Sequence, residues 1–93
     1  MEKTELIHKL TALMQETGKA HHQAFIESDG ADPEWALWYA EHLQKKLGAI
    51  LGIEFTKSDL VYLLISAQRE QETRAPGANW TRYYAKFFAE RYT

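Results

Sequence analysis

The chain has 93 residues, no cysteine and a formal net charge of −2. Those values exclude a disulfide framework and thiolate chemistry, and they provide no basic field that would gather nucleic acid or anionic lipid. Length and an ordinary balance of hydrophobic (45%) and charged (26%) residues point to one domain spanning residues 1–93.

The first helix is predicted over about Glu5 to Glu27, with Thr4 as its N-cap. Leu6, Leu10, Leu13, Met14, Thr17, Ala20, His21 and Ala24 recur at the spacing of one helical face. Gly18 interrupts this face, at a cost of about 1 kcal/mol relative to Ala, and suits either a kink or the close approach of another helix. Ser28-Asp29-Gly30-Ala31 is a turn by composition. Asp32-Pro33-Glu34 then starts a second helix, with Asp as cap, Pro in the first turn and Glu at the positive end of the dipole. This helix carries Trp35 to Leu47 and extends to Leu51 if Gly52, not Gly48, ends it. Thr56-Lys57-Ser58-Asp59 reads as a capping box, and Phe55 and Leu60 occupy the staple positions around it. A third helix follows from Lys57 to Thr73. Arg74-Ala75-Pro76-Gly77-Ala78 breaks the chain, and Asn79 caps a last helix from Trp80 to Tyr92. Only Ile53-Glu54-Phe55 alternates in the manner of a strand.

A motif of the form W-x-x-[WY]-Y-A occurs twice. Trp35-Ala36-Leu37-Trp38-Tyr39-Ala40 recurs 45 positions later as Trp80-Thr81-Arg82-Tyr83-Tyr84-Ala85. The first and third helices match less closely, so the pattern reads as a degenerate duplication of a helical hairpin. The expected fold is all-α: four helices packed as two antiparallel hairpins in a bundle.

Helical geometry divides the apolar residues of the second helix into two sectors. Ala36, Tyr39, Leu43, Leu47 and Ile50 form the main stripe, while Trp35, Trp38 and His42 lie to one side. The last helix repeats this layout, with Tyr84, Phe88 and Tyr92 on the stripe and Trp80, Tyr83 and Phe87 beside it. A sector of Trp and Tyr without cover suits an interface. Trp35, Trp38, His42, Trp80 and Tyr83 are therefore the expected contact surface of a small interaction module, one that self-associates or binds another protein. Most of these rings also serve as core.

The chemistry-bearing residues point to a second class of function. His21 falls at the centre of the first helix's apolar face and comes level with Tyr39 in a hairpin, so an imidazole–phenol hydrogen bond is expected. With His42, these residues would line an aromatic pocket near the first loop for a small ligand or a substrate. No residue has the surroundings of a catalytic nucleophile, and neither a cofactor nor a metal is expected. Glu5-Leu6-Ile7-His8 has the spacing of a di-iron half-site but stands alone on an outer face. The Gly48-Ala49-Ile50-Leu51-Gly52 segment lacks the strand and the Lys-Ser/Thr of a phosphate loop. Arg82, Lys86 and Arg91 are read as a solvated face, not a nucleic-acid surface. The N-terminus has no basic region followed by an apolar run, and no stretch approaches 18 apolar residues, so the expected location is cytoplasmic. Asn79-Trp80-Thr81 then matches a glycosylation sequon without a secretory context.

The segment from Asp32 to Ala40, with Ala20-His21-His22 upstream, resembles a group of small bacterial helical proteins of unknown function. In that group a D-x-x-W-x-x-W-Y-A element follows an A-H-H-like helix, and a W-x-x-Y-Y-A-like segment closes the domain. The resemblance runs from Ala20 to Tyr92 and implies a helical fold but no activity. It marks the neighbourhood of His21, His22 and the W-Y-A element as a place for a site.

Overall fold

The computed structural model describes residues 2–92, which form helices α1 (Lys3–Ala24), α2 (Trp35–Leu51), α3 (Lys57–Arg74) and α4 (Trp80–Arg91). No strand occurs among the described residues, and Ile53-Glu54-Phe55 is an irregular connection. The chain is the four-helix all-α bundle that its periodicities require. The broadest packing runs across the two hairpins, α1 against α4 and α2 against α3, with narrower contacts between α1 and α2 and between α3 and α4. No helix is long and apolar enough to cross a membrane among the described residues.

The helix ends follow local chemistry. The Asp59 backbone N–H donates to Thr56 Oγ1 at 3.0 Å and the Thr56 N–H returns a longer bond to Asp59 Oδ2, so the predicted capping box is present at α3. Asn79 Oδ1 accepts from the Thr81 N–H at 2.9 Å and caps α4. Gly52, at φ 70°, ends α2 in the left-handed conformation. Gly48 stays inside α2 and has a separate use: a Cβ there would stand 2.6 Å from the Ile53 carbonyl oxygen, so the missing side chain lets the chain fold back along the helix.

Three ends depart from expectation. α2 starts at Trp35 with Glu34 in the cap position and no side-chain cap, so Asp32 and Pro33 lie in the turn before the helix and not at its cap and first position. α1 begins at Lys3 with Glu2, not Thr4, in the cap position, and without a side-chain cap. It stops at Ala24, three residues early, because Phe25 opens a 3-10 turn over Ile26–Ser28 that ends with Asp29 at φ 55°. Ser28 Oγ lies within hydrogen-bond distance of the carbonyls of Phe25 and Ala31 and braces this turn. The tight return carries Asp32 back to α1, where it meets His21.

Leu10, Met14, Leu43, Leu47, Leu60, Leu64 and Phe88 are fully buried at the centre, and Ala40, Ala67, Ala85 and Ala89 allow the helix backbones to approach. Phe55 closes the far end, edge-on to Tyr92 at 5.3 Å. At the other end the two W-x-x-[WY]-Y-A copies have the same local geometry. Trp35 meets Tyr39 edge-on at 5.5 Å, and Trp80 meets Tyr84 edge-on at 5.3 Å. The copies join where Tyr39 touches Trp80, at 5.9 Å between ring centroids.

Candidate functional site

The last turns of α1, the first loop and the first turns of α2 and α4 converge at one end of the bundle. His21 is its best-anchored polar side chain. The residue is 7% exposed and its Nε2 lies 3.0 Å from Asp32 Oδ2. A carboxylate accepts only, so Nε2–H is the donor. The other Asp32 oxygen accepts the Glu34 backbone N–H at 3.0 Å. One aspartate thus braces the turn before α2 and locks a histidine of α1. Rings of Phe25, Trp38 and Tyr39 surround the imidazole at centroid distances of 4.8, 5.0 and 5.1 Å. The expected imidazole–phenol bond is replaced: Tyr39 meets His21 ring to ring, and Asp32 takes the hydrogen bond.

Beside this cluster an open groove of about 1000 Å³ runs between α1 and the start of α4. Its floor is Gly18, Tyr39 and Trp80, and its rim carries Gln15, Lys19 and His22. Gly18 is where α4 makes its close approach, since a Cβ there would stand 2.9 Å from Trp80 Cζ2. Tyr39 is 8% exposed and its hydroxyl has no hydrogen-bond partner among the described residues, although it borders the groove. Burial alone raises its pKa above the usual phenol value. On the rim, Gly30 at φ 84° lets the loop pass against the imidazole of His22, 2.8 Å from where a Cβ would sit.

The other expected site residues are distributed over several faces. His42 does not border the groove; Trp38 stands between it and His21, stacked on His42 at 5.2 Å with the rings 10° apart. His42 Nε2 is buried without a partner among the described residues. Its pKa is lowered, by burial first and then by Lys46, against an opposing effect of Glu16. Glu16 and Lys46 bridge α1 and α2 at 2.7 Å, and the lysine holds the Glu16 carboxyl below its usual range. Tyr83 points elsewhere. Partial burial, then the neighbouring Glu70 carboxylate on α3, raise its pKa. Trp35, Trp38 and Trp80 are half-buried and packed on the core. The proposed surface of Trp35, Trp38, His42, Trp80 and Tyr83 is thus divided between the α1–α2 side, the groove and the α3–α4 side.

Lys19, Gln15 and the second role of Asp32 escaped the sequence reading. The signal for Asp32 is partial: the sequence suits a cap of α2, whereas the carboxylate braces the turn before the helix by accepting the Glu34 N–H and has its second oxygen free for another donor. Among the described residues no group of three or more His, Cys, Asp or Glu side chains could hold a metal ion. Comparison with protein-family models, curated proteins and solved structures finds no match to this chain.

Proposed function

We propose that this chain is a small binding module without catalytic activity, and that its binding element is the groove between α1 and the start of α4. One observation carries this reading. The Tyr39 ring is buried, while its hydroxyl has no partner among the described residues and opens on the groove. A hydroxyl so placed is free to donate to a ligand that lies against the ring. The His21–Asp32 pair supports the reading by fixing the ring that backs Tyr39. A saturation-transfer NMR screen of small ring compounds tests it. Hits on the wild type that vanish with Tyr39→Phe are expected, and a screen without hits would remove this reading.

A protein partner is the second reading. Leu37 is 41% exposed on the first turns of α2, next to the half-buried Trp38. Self-association through this face predicts a dimer in light scattering that Leu37→Glu converts to monomer. A wild type that is monomeric at all concentrations counts against it.

A further inference from the structure

Two donors that line the groove have no partner among the described residues. Lys19 brings a permanent cation with three N–H donors, and Tyr39 brings an O–H. Burial keeps that phenol protonated, and therefore a donor, well past neutral pH. His22 stands half-exposed at the rim. The nearby carboxylates are occupied or turned outward. Both Asp32 oxygens are taken, by His21 and by the Glu34 N–H. The Asp29 side chain is 99% exposed, 4.0 Å from His22 Nε2. Thr81 Oγ1 gives its proton to Asn79 Oδ1 and keeps its lone pairs, and Gln15 and Gln23 add neutral amides that both donate and accept. A ligand that pairs with both Lys19 and Tyr39 must supply acceptor oxygens, and the ammonium favours a negative charge on them. The floor is aromatic, with Tyr39 and Trp80 in contact at 5.9 Å, and it offers a flat ligand dispersion contact.

We infer that the groove binds a planar organic carboxylate, its carboxylate held between Lys19 and the Tyr39 hydroxyl and its ring laid against Trp80. The inference rests on the groove being a binding site at all, and it adds the ligand's chemical class. Lys19 supplies charge at the mouth. Tyr39 supplies the directed bond at depth. Gly18 keeps the floor low enough for the ring to settle.

Benzoate, benzamide and benzylamine share a ring and differ in charge, so they separate the two claims. Each is titrated into the full-length protein, and the Gly18 amide and Trp80 indole N–H resonances are followed. Benzoate moves both signals, more tightly than benzamide and far more tightly than benzylamine. Lys19→Gln weakens benzoate by about fivefold to tenfold and leaves benzamide unchanged. Tyr39→Phe keeps the ring, so a folded variant with native-like spectra that binds benzoate more weakly completes the case. If benzamide or benzylamine bind as well as benzoate, the carboxylate class is wrong while the groove stands. Benzoate shifts unaffected by Lys19→Gln and Tyr39→Phe overturn the proposed contacts. If none of the three probes moves either signal, the groove reading and this inference fall together.

Discussion

Trp80 lies across Gly18, its Cζ2 2.9 Å from the point where a Cβ would project. This contact joins the last helix to the first and lets Trp80 reach Tyr39. Replacing Gly18 with Ala gains about 1 kcal/mol of helix propensity. It also forces the indole off its seat, and overpacking of this kind costs about 1–3 kcal/mol. The expected result is a Gly18→Ala protein less stable than wild type in urea denaturation, with a shifted Trp80 indole signal. Gly77 has open space around it, so Gly77→Ala is the control that should leave stability within about 0.5 kcal/mol. A more stable Gly18→Ala protein would show that the indole relocates freely.

Asp32 binds two elements at once, through His21 Nε2 and the Glu34 N–H, each at 3.0 Å. Asp32→Ala strips both and leaves a buried imidazole N–H unpaired, so a loss of about 2–4 kcal/mol is expected. Asp32→Asn retains an acceptor for the backbone and should cost less than half of that. Denaturant midpoints of the two variants test this order. Equal losses would mean that only the ionic part of the pair matters.

Much of this architecture was legible in the sequence because local chemistry and burial agree. The box at Thr56 and Asp59, the cap at Asn79 and the stripe of Leu43 and Leu47 each point to the same helices. The paired Trp-Tyr steps likewise marked the end of the bundle where the groove lies. Contacts between distant segments were harder to read. Gly18 signalled a close approach but not by which helix, because the helical period does not name a partner. His21 was placed in the core correctly, yet its bond went to Asp32 because the 3-10 turn after Phe25 shortens the first loop's path. Tyr83 shares its motif position with Trp38, but it faces Glu70 of α3, since the neighbours of equivalent faces differ between the two copies.

His42 predicts acid sensitivity. Its folded-state pKa lies below the ordinary 6.5, chiefly because burial opposes the charge and secondarily because of Lys46. In the unfolded chain His42 takes a proton as pH falls through about 6.5, before the folded form does. The unfolded state then binds more protons, so stability drops with falling pH through this window and is fully retained above it. His42→Gln should flatten the dependence of the urea midpoint between about pH 7 and 5. An unchanged slope would place the effect on the other histidines.

Tyr84 predicts the opposite limb. Its phenol is 5% exposed and its pKa is pushed up to about 12, by burial first, then by Tyr39 and Glu72. Unfolded, the same group ionises near 10. The folded state therefore holds the proton longer, and the stability tied to the neutral phenol is present below pH 10 and lost as pH rises toward 12. Tyr84→Phe keeps the ring against Trp80 and removes the ionisation. Its denaturation midpoint should fall less steeply above about pH 10 than that of the wild type. Ultraviolet difference spectra should also show one late-titrating phenol fewer. If the midpoints of both proteins fall in parallel, alkaline unfolding is driven by a group other than this buried tyrosine.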